Sequence, residues 1–230
     1  MDADIKKPAV DAAGSNLNGN TPENTSNYII PPPPPPANNG TYQQSIKEYQ
    51  KKLSIDFCHK LKGLNTIIDF RTFDDNNDRK DPSLTCKLRG TIEECFDGLF
   101  ELNRLGAGVF LTVNTTDGLG VYSSNITSIE YLWIEDDGDD TDAVSRCPLT
   151  PFLKVKTSAG HFHHYFRVEA GSIRPADFKQ YQSVMAEKYG SDNNAMDVSR
   201  VLRVAGFYHQ KVNSKKGLVG EKQLVEVCNV

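Results

Sequence analysis

The stretch Ile129-Glu-Tyr-Leu-Trp-Ile-Glu-Asp-Asp-Gly138 combines an apolar, aromatic run with a cluster of acidic residues at its end. The run at 131–134 predicts a half-buried β-strand, since such side chains pack well on a pleated sheet. Because side chains alternate between the two faces of a strand, Glu135 and Asp137 are expected on one face. Two carboxylates on one rigid face can bind a hard divalent cation. Taken alone, the stretch is also compatible with an acidic turn after an edge strand.

The composition describes a soluble chain of 230 residues, long enough for one domain with a hydrophobic core. Its mean hydropathy is −0.50, and no apolar run approaches the roughly 20 residues that span a bilayer, so no membrane partner is expected. The N-terminus has no apolar core like that of a signal peptide, and the five cysteines form no Cys-x-x-Cys pair. These features argue against a zinc site or a disulfide framework and predict a cytoplasmic protein.

The charges are segregated along the chain. The net charge of −4 argues mildly against a protein that coats nucleic acid through bulk charge. Residues 135–142 carry six acids, whereas residues 200–222 carry six lysines or arginines and one acid. The acidic segment suits metal ions and the basic segment suits phosphates, although both patterns are also typical of solvated loops.

Residues 1–44 are predicted to form a disordered, proline-rich tail, and residues 45–230 a folded domain. The tail contains Pro31 to Pro36, a run that favours an extended polyproline II conformation. Apolar residues at helical spacing predict a helix from Ser45 to Gly63. Further helices are predicted at 91–105 and 175–189, and strands at 67–73, 109–113, 131–134, 152–157, 162–168 and 224–228. This order of helices and hairpins predicts an α+β fold with helices packed on a sheet.

A histidine cluster follows the predicted turn between the strands at 152–157 and 162–168. His161 and His163 are expected on one strand face, and His164 on the other. A histidine beside a metal site can bind a phosphate oxygen, donate a proton or ligate the metal.

A third segment runs from Asp197 to Lys211. Asp197 can add a carboxylate to a metal site. Arg200 and Arg203 carry planar, permanently charged groups that suit phosphate oxygens. For any single arginine, a solvent-exposed position on a helix is the simpler alternative.

Together these segments resemble the RepB-like primase branch of the archaeo-eukaryotic primase and primase-polymerase superfamily, which is found on plasmids, phages and related mobile elements. That family carries an acidic pair at a strand end, which Glu135 and Asp137 match. Its second motif is a small residue, one variable residue and a histidine. Ser158 through His163 matches the Gly-x-x-His form of that motif, with His163 as the histidine, and Met196-Asp197 matches the later aspartate, which follows an apolar residue.

Two flanking segments, 70–84 and 197–211, resemble further segments typical of the family, so the similarity covers roughly residues 65–228. The chain departs from the family at three positions. Glu135 stands where the family usually has aspartate, Asp136 stands where an apolar residue is usual, and Ala205 stands where proline is usual. A longer acid matters because Mg²⁺ tolerates little geometric error.

The resemblance implies an RRM-like, mostly antiparallel catalytic core in residues 45–230 that synthesises primers on single-stranded DNA by a two-metal mechanism. It implies that Mg²⁺ or Mn²⁺ is held by Glu135, Asp137 and Asp197. It implies a catalytic or nucleotide-binding role for Ser158, His163, Arg200, Arg203 and Lys211. The expected partners are a template, nucleoside triphosphates and a replicative helicase or another replisome protein, in a bacterial or phage-infected cell. The lysines of the first helix and the segment 211–222 are candidate template contacts.

Two alternatives stay open at the level of the sequence. A HUH-type nickase or relaxase would bind one metal through His161 and His163 and attack DNA with Tyr181 or Tyr189. A non-catalytic primase-like protein would bind a nucleotide or a single strand without turnover, and the unusual Glu135 motivates that alternative. A covalent tyrosyl–DNA adduct would identify the first, and tight nucleotide binding without turnover would identify the second.

Overall fold

A computed structural model describes residues 39–136, 138, 144–189 and 196–228. The helices are α1 (Asn39–Lys62), α2 (Ile92–Arg104) and α3 (Phe178–Tyr189). The longer strands are β1 (Ile68–Asp74), β2 (Lys87–Gly90), β3 (Ala107–Thr112), β6 (Tyr131–Asp136), β7 (Leu153–Ser158), β8 (His161–Arg167) and β9 (Val201–Arg203). The shorter strands are β4 (Thr115–Thr116), β5 (Ile126–Ser128), β10 (Tyr208–His209), β11 (Val212–Asn213), β12 (Leu218–Val219), β13 (Gln223–Leu224) and β14 (Glu226–Cys228).

Two four-stranded antiparallel sheets form the framework. The first sheet has the strand order β2-β1-β3-β9, and the second has the order β14-β7-β8-β6. Three two-stranded ladders, β4–β5, β10–β13 and β11–β12, and an isolated parallel bridge between Asn76 and Val212 complete the pairing in the described residues. The predicted α+β class is therefore confirmed. No helix in the described ranges is long and apolar enough to cross a membrane.

The first helix begins at Asn39 rather than at the predicted Ser45. Its first turn is polar, so the apolar spacing that predicted the helix starts only in the second turn. The proline run Pro31–Pro36 belongs to residues 1–38, which lie outside the described ranges, and the predicted tail stays a prediction.

The second helix confirms its predicted start. The Thr91 amide donates to Glu94 Oε2 at 2.9 Å, and the Glu94 amide donates to Thr91 Oγ1 at 3.3 Å. This reciprocal capping satisfies two amides that the first helical turn leaves without partners. The helix then buries Phe96 and Leu99 completely against the first sheet.

Several predicted boundaries shift by a few residues. Pro175 opens a 3-10 turn, and the α-helix itself begins at Phe178. The predicted last strand is divided into β13 and β14 at Val225, which is fully buried. Arg203 lies on strand β9, which pairs with β3, and not on a helix.

One hydrophobic core joins the inner faces of both sheets to the helices. It includes Phe57 of α1, Phe70 of β1, Phe96 of α2, Trp133 of β6 and Tyr165 of β8. Phe57 and Tyr165 meet edge to face, with ring centroids 6.5 Å apart. Because this core reaches strand β6, it fixes the position of the acidic end of that strand.

Helix α3 protects the edge of the second sheet. Strand β6 lies at that edge, so its outer backbone groups have no neighbouring strand among the described residues. The fully buried side chain of Gln182 takes the place of a neighbouring strand. Its amide donates to the Trp133 carbonyl at 2.8 Å, and its Oε1 accepts from the Trp133 amide at 3.3 Å. One side chain thus anchors α3 to the strand that carries Glu135.

Candidate active site

Strands β6 and β8 place Glu135 directly opposite His163. Directly opposed residues of an antiparallel pair lie on the same face of the sheet and close together. The same face carries Trp133 and Tyr165 in the hydrophobic core. Glu135 and His163 therefore form the polar end of a face that is otherwise apolar.

Arg200 connects Glu135 to the first sheet. Its Nε and Nη2 donate to the two carboxylate oxygens of Glu135 at 2.9 and 3.0 Å. The Glu135 side chain is only 13% exposed, so this two-point contact is shielded from solvent. The carbonyl of Arg200 accepts from the amide of Val113 at 3.3 Å, directly after strand β3. The ion pair thereby joins the two sheets at the site.

His163 is held in its neutral form. Burial, together with the positive charges of Arg203 and Arg200, lowers the pKa of His163 to about 3. Its Nδ1 is buried without a hydrogen-bond partner among the described residues. A neutral imidazole carries one donor nitrogen and one acceptor nitrogen and no net charge.

Asp197 lies on the loop before β9. Its Oδ1 accepts from the Ser123 hydroxyl at 2.9 Å, and from the Ser199 amide and hydroxyl at 3.0 and 2.9 Å. Partial burial opposes ionisation, but these hydrogen bonds and the charge of Arg200 lower the pKa of Asp197. Asp197 lines a cavity of about 400 Å³ together with Lys179. The carboxylate is thus ionised at neutral pH and accessible from that cavity.

Arg203 occupies a buried ion pair with Asp75. Its Nη1 and Nη2 donate to the two oxygens of Asp75 at 3.0 and 2.8 Å. The side chains of Arg203 and Asp75 are 10% and 5% exposed. The guanidinium carbon also lies 4.7 Å from the centre of the Phe110 ring. Arg203 is therefore fixed in place while its charge still lowers the pKa of His163.

His209 is a second histidine beside Arg203. Burial and the charge of Arg203 lower the pKa of His209 to about 4. Its Nδ1 lies 3.0 Å from the carbonyl oxygen of Thr157, so this nitrogen donates in the neutral ring. Neither His209 nor Asp75 was among the predicted site residues. Both lie within segments that resemble the family, 197–211 and 70–84, and that resemblance is the only sequence signal for them.

The other predicted site residues are distributed around this centre. Ser158 ends strand β7 and is partly buried, and Lys211 is exposed between β10 and β11. Asp137 lies outside the described residues, so its predicted place beside Glu135 stays a prediction. Among the described residues, no group of three or more histidine, cysteine, aspartate or glutamate side chains is arranged to hold a metal ion.

Asp136 and His164 lie on the opposite sheet face from Glu135. Asp136 Oδ2 is 3.7 Å from His164 Nε2, and both residues are buried. Burial is the main cause that lowers the pKa of His164. Tyr189 packs on this same side, against a small cluster that contains Ile134 and Phe166. The nickase alternative needs a tyrosine near His163, and Tyr189 is on the other face.

The family model of the RepB DNA-primase N-terminal domain matches residues 113–227 of the sequence. This range includes the predicted site residues from Glu135 to Lys211, among them residues of both sheets. This chain belongs to that family. The match confirms the predicted relationship and supports a primase-type function. It favours that interpretation over the nickase alternative.

Three solved structures have the same fold. The primase-polymerase domain of cyanophage S-2L aligns with a TM-score of 0.55 and 18% identity, over 78% of this chain and 89% of that one. Primase RepB′ aligns with a TM-score of 0.53 and 18% identity, over 78% of this chain and 56% of that one. The RepB′ catalytic domain in complex with initiator DNA aligns with a TM-score of 0.53 and 17% identity, over 79% and 85%. No curated protein matches the sequence significantly.

Proposed function

We propose that this RepB-type primase domain synthesises primers on single-stranded DNA by transferring nucleotides from nucleoside triphosphates. The observation that supports the proposal most is the opposition of Glu135 and His163 within the matched segment, with two arginines beside them. Nucleotide polymerisation needs anionic groups that hold divalent cations and cationic or hydrogen-bonding groups that hold a triphosphate. The site offers both kinds of group in adjacent positions.

The family implies divalent metal ions, and the chemistry of the donor set fits them. Glu135, Asp137 and Asp197 are carboxylates, the oxygen ligands that Mg²⁺ and Mn²⁺ prefer. Asp197 is ionised and accessible, whereas Glu135 is occupied by Arg200. Arg200 keeps the negative charge of Glu135 compensated inside the protein, which lowers the cost of burying that carboxylate. When bound, the ions would supply positive charge to the phosphate oxygens and to the attacking hydroxyl.

The remaining groups position the nucleotide. His163 is neutral at pH 7, so it contributes a hydrogen bond to a phosphate oxygen and no positive charge. Arg203 contributes the charge, and its ion pair with Asp75 holds the guanidinium in a fixed orientation. Ser158 and Lys211 add a hydroxyl and an exposed ammonium group. These groups act by orientation and electrostatic stabilisation and form no covalent bond.

Primer synthesis on a single-stranded template with labelled nucleotides tests the proposal. Glu135→Gln and Asp137→Asn keep the side-chain shape and remove one negative charge. Each is expected to lower the rate by about 100-fold or more, the order found when one electrostatic group is removed from an active site. Glu101→Gln is the matched control, because Glu101 is 53% exposed on α2 and carries the same charge.

Unchanged synthesis by both site variants would refute the metal-binding role. A folded wild-type protein that binds nucleotide but makes no primer with Mg²⁺ or Mn²⁺ would favour the non-catalytic alternative. The helicase or replisome partner is a separate expectation, which co-purification with the host replication proteins tests.

A further inference from the structure

One row of side chains crosses all four strands of the first sheet. Lys87 of β2 lies opposite Arg71 of β1, Arg71 lies opposite Phe110 of β3, and Phe110 lies opposite Arg203 of β9. Opposed residues share one sheet face, so three cations and one aromatic ring form a continuous line. These four positions are far apart in the sequence, and the pairing of the strands alone brings them together.

This row faces away from the hydrophobic core. The neighbouring residues Phe70, Leu111 and Leu202 are buried and belong to the core, so the row itself points to the other side of the sheet. Phe73 and Phe110 are partly exposed, and neither is among the residues packed against the core. Their ring centroids are 5.5 Å apart in an edge-to-face arrangement.

The acids around this face are already paired with other arginines. Asp69 accepts from Arg89 at 2.6 Å, and Asp74 accepts from Arg79 at 2.8 Å. Asp75 is paired with Arg203, as described above. Each of these three carboxylates thus has a cation partner other than Arg71 and Lys87.

Arg71 and Lys87 are left with aromatic contacts. Arg71 lies 4.9 Å from the Phe73 ring centre, and the Lys87 ammonium lies 5.3 Å from the ring centre of Tyr122. Neither side chain has a carboxylate partner within the part of the chain that the structure describes. Tyr122 is 68% exposed. The centre of the face therefore carries two uncompensated positive charges among three accessible rings.

We propose that Arg71, Phe73, Lys87, Phe110 and Tyr122, here called the aromatic–basic face, bind the single-stranded template. Backbone phosphates pair with Arg71 and Lys87, and unpaired bases stack on the rings and on the guanidinium plane of Arg71. This inference rests on the proposed primase function, which supplies the template as the ligand. A double helix fits less well, because its bases are stacked on each other and their faces are not available.

The position of the last residue in the row indicates how a bound template would reach the candidate active site. The row ends on β9 at Arg203, and Arg200, directly before β9, donates to both carboxylate oxygens of Glu135. A strand that follows the row is therefore directed to the groups that hold the nucleotide.

The lysines of α1, predicted as candidate template contacts, are less suitable for that role. Lys47 is paired with Asp97 at 2.8 Å, and Lys62 is paired with Glu130. The Lys51 ammonium lies 5.7 Å from the centre of the Phe96 ring. Lys52 and Lys60 stay exposed and provide the rival surface in a binding experiment.

Fluorescence anisotropy with a 5′-labelled oligothymidylate tests the proposal on the full chain, in EDTA and without nucleotides. Phe73→Leu keeps an apolar side chain and removes the ring. We expect it to weaken binding about 5- to 150-fold, the range for losing one base-stacking contact. For Arg71→Ala/Lys87→Ala, the slope of log K against log salt is expected to fall by about 1.4, at roughly 0.7 per phosphate contact. Lys188→Ala, an exposed lysine on α3, is the matched charge control and should bind like the wild type.

An abasic oligonucleotide of the same length separates the two contributions. Phe73→Leu should bind it as the wild type does, whereas Arg71→Ala/Lys87→Ala should not. Wild-type affinity in all face variants, or a loss confined to Lys52→Ala/Lys60→Ala, would overturn the proposal.

Binding in EDTA needs no catalysis, so the result is independent of primer synthesis. If the face variants bind DNA more weakly, as expected, but the wild-type protein makes no primer, the template-binding face is supported and only the primase activity is refuted. If the face variants bind DNA as the wild type does and the wild-type protein makes primers, only the template-binding face is refuted.

Discussion

Asp75→Asn is the sharpest test of how the site is held together. Asparagine has nearly the same shape as aspartate, but it removes the charge that compensates Arg203. The two hydrogen bonds from Arg203 to Asp75 are 2.8 and 3.0 Å long. The Asp75 side chain is 5% exposed and the Arg203 side chain is 10% exposed. The Asp75 carboxylate also accepts from the amide of Gln210 at 3.1 Å. The substitution therefore leaves a guanidinium buried without a partner charge.

The expected loss of unfolding free energy is about 3–5 kcal/mol, the usual range when one member of a buried ion pair is removed. Coulomb's law gives a similar figure, about 4 kcal/mol for unit charges 4 Å apart at an effective dielectric constant of about 20. The total free energy of unfolding of a domain of this size is about 5–15 kcal/mol. The melting temperature should fall by about 6–20 °C, at roughly 2–4 °C for each kcal/mol.

Urea-induced unfolding of Asp75→Asn, Arg203→Met and the double variant measures the pair directly. The double variant should be less destabilised than the sum of the single variants, because it leaves no charge buried alone. A loss below about 1 kcal/mol for Asp75→Asn, or additivity within about 0.5 kcal/mol, would refute the assignment of a buried, coupled pair.

Three further predictions concern other contacts. Gln182→Ala removes the amide that pairs with the backbone of β6, and we expect a loss of about 2–4 kcal/mol in urea unfolding, since two buried groups lose their partner; a loss below about 1 kcal/mol would contradict this. The hydrogen bond from Arg79 lowers the pKa of Asp74 to about 2, so this contact stabilises the fold above pH 4, and the stability difference between wild type and Arg79→Ala should shrink as the pH falls from 4 to 2. Gly206 has φ +90°, and a Cβ there would lie 2.6 Å from a carbonyl oxygen of α1, so Gly206→Ala should cost at least about 2 kcal/mol. Gly171→Ala is its control, with φ +77° and open space around it, and equal losses for both would rule out the steric explanation.

The elements that depend on nearby residues could be predicted from the sequence. The capping box at Thr91 and Glu94 has its whole mechanism within four residues, and the structure contains it. The hairpin of β7 and β8 follows from two β-prone runs around Gly160, whose φ of +76° suits the turn. The first turn of α1 was missed because its residues are polar and carry no periodic signal.

The ion pairs of the site depend on contacts between distant residues. Arg200 and Arg203 could be identified as cations suited to phosphates, but their partners could not. Glu135 lies 65 residues from Arg200, and Asp75 lies 128 residues from Arg203. Only the packing of the two sheets decides which carboxylate reaches which guanidinium. The sequence therefore predicts the kinds of group at the site more reliably than their pairing.

The aromatic–basic face shows why a motif search finds one half of such a site and not the other. Glu135 and His163 each belong to a short segment with its own pattern, so sequence similarity detects them. Arg71 lies within the segment 70–84 that resembles the family, but Lys87 and Phe110 lie in no such segment, and nothing in the sequence connects the three residues. Their common property is the strand register, since a shift of one residue in β1 would turn Arg71 into the core and Phe70 outward. A template surface of this kind is encoded in the alternation of buried and exposed positions along separate strands, and it becomes visible only after those strands are paired.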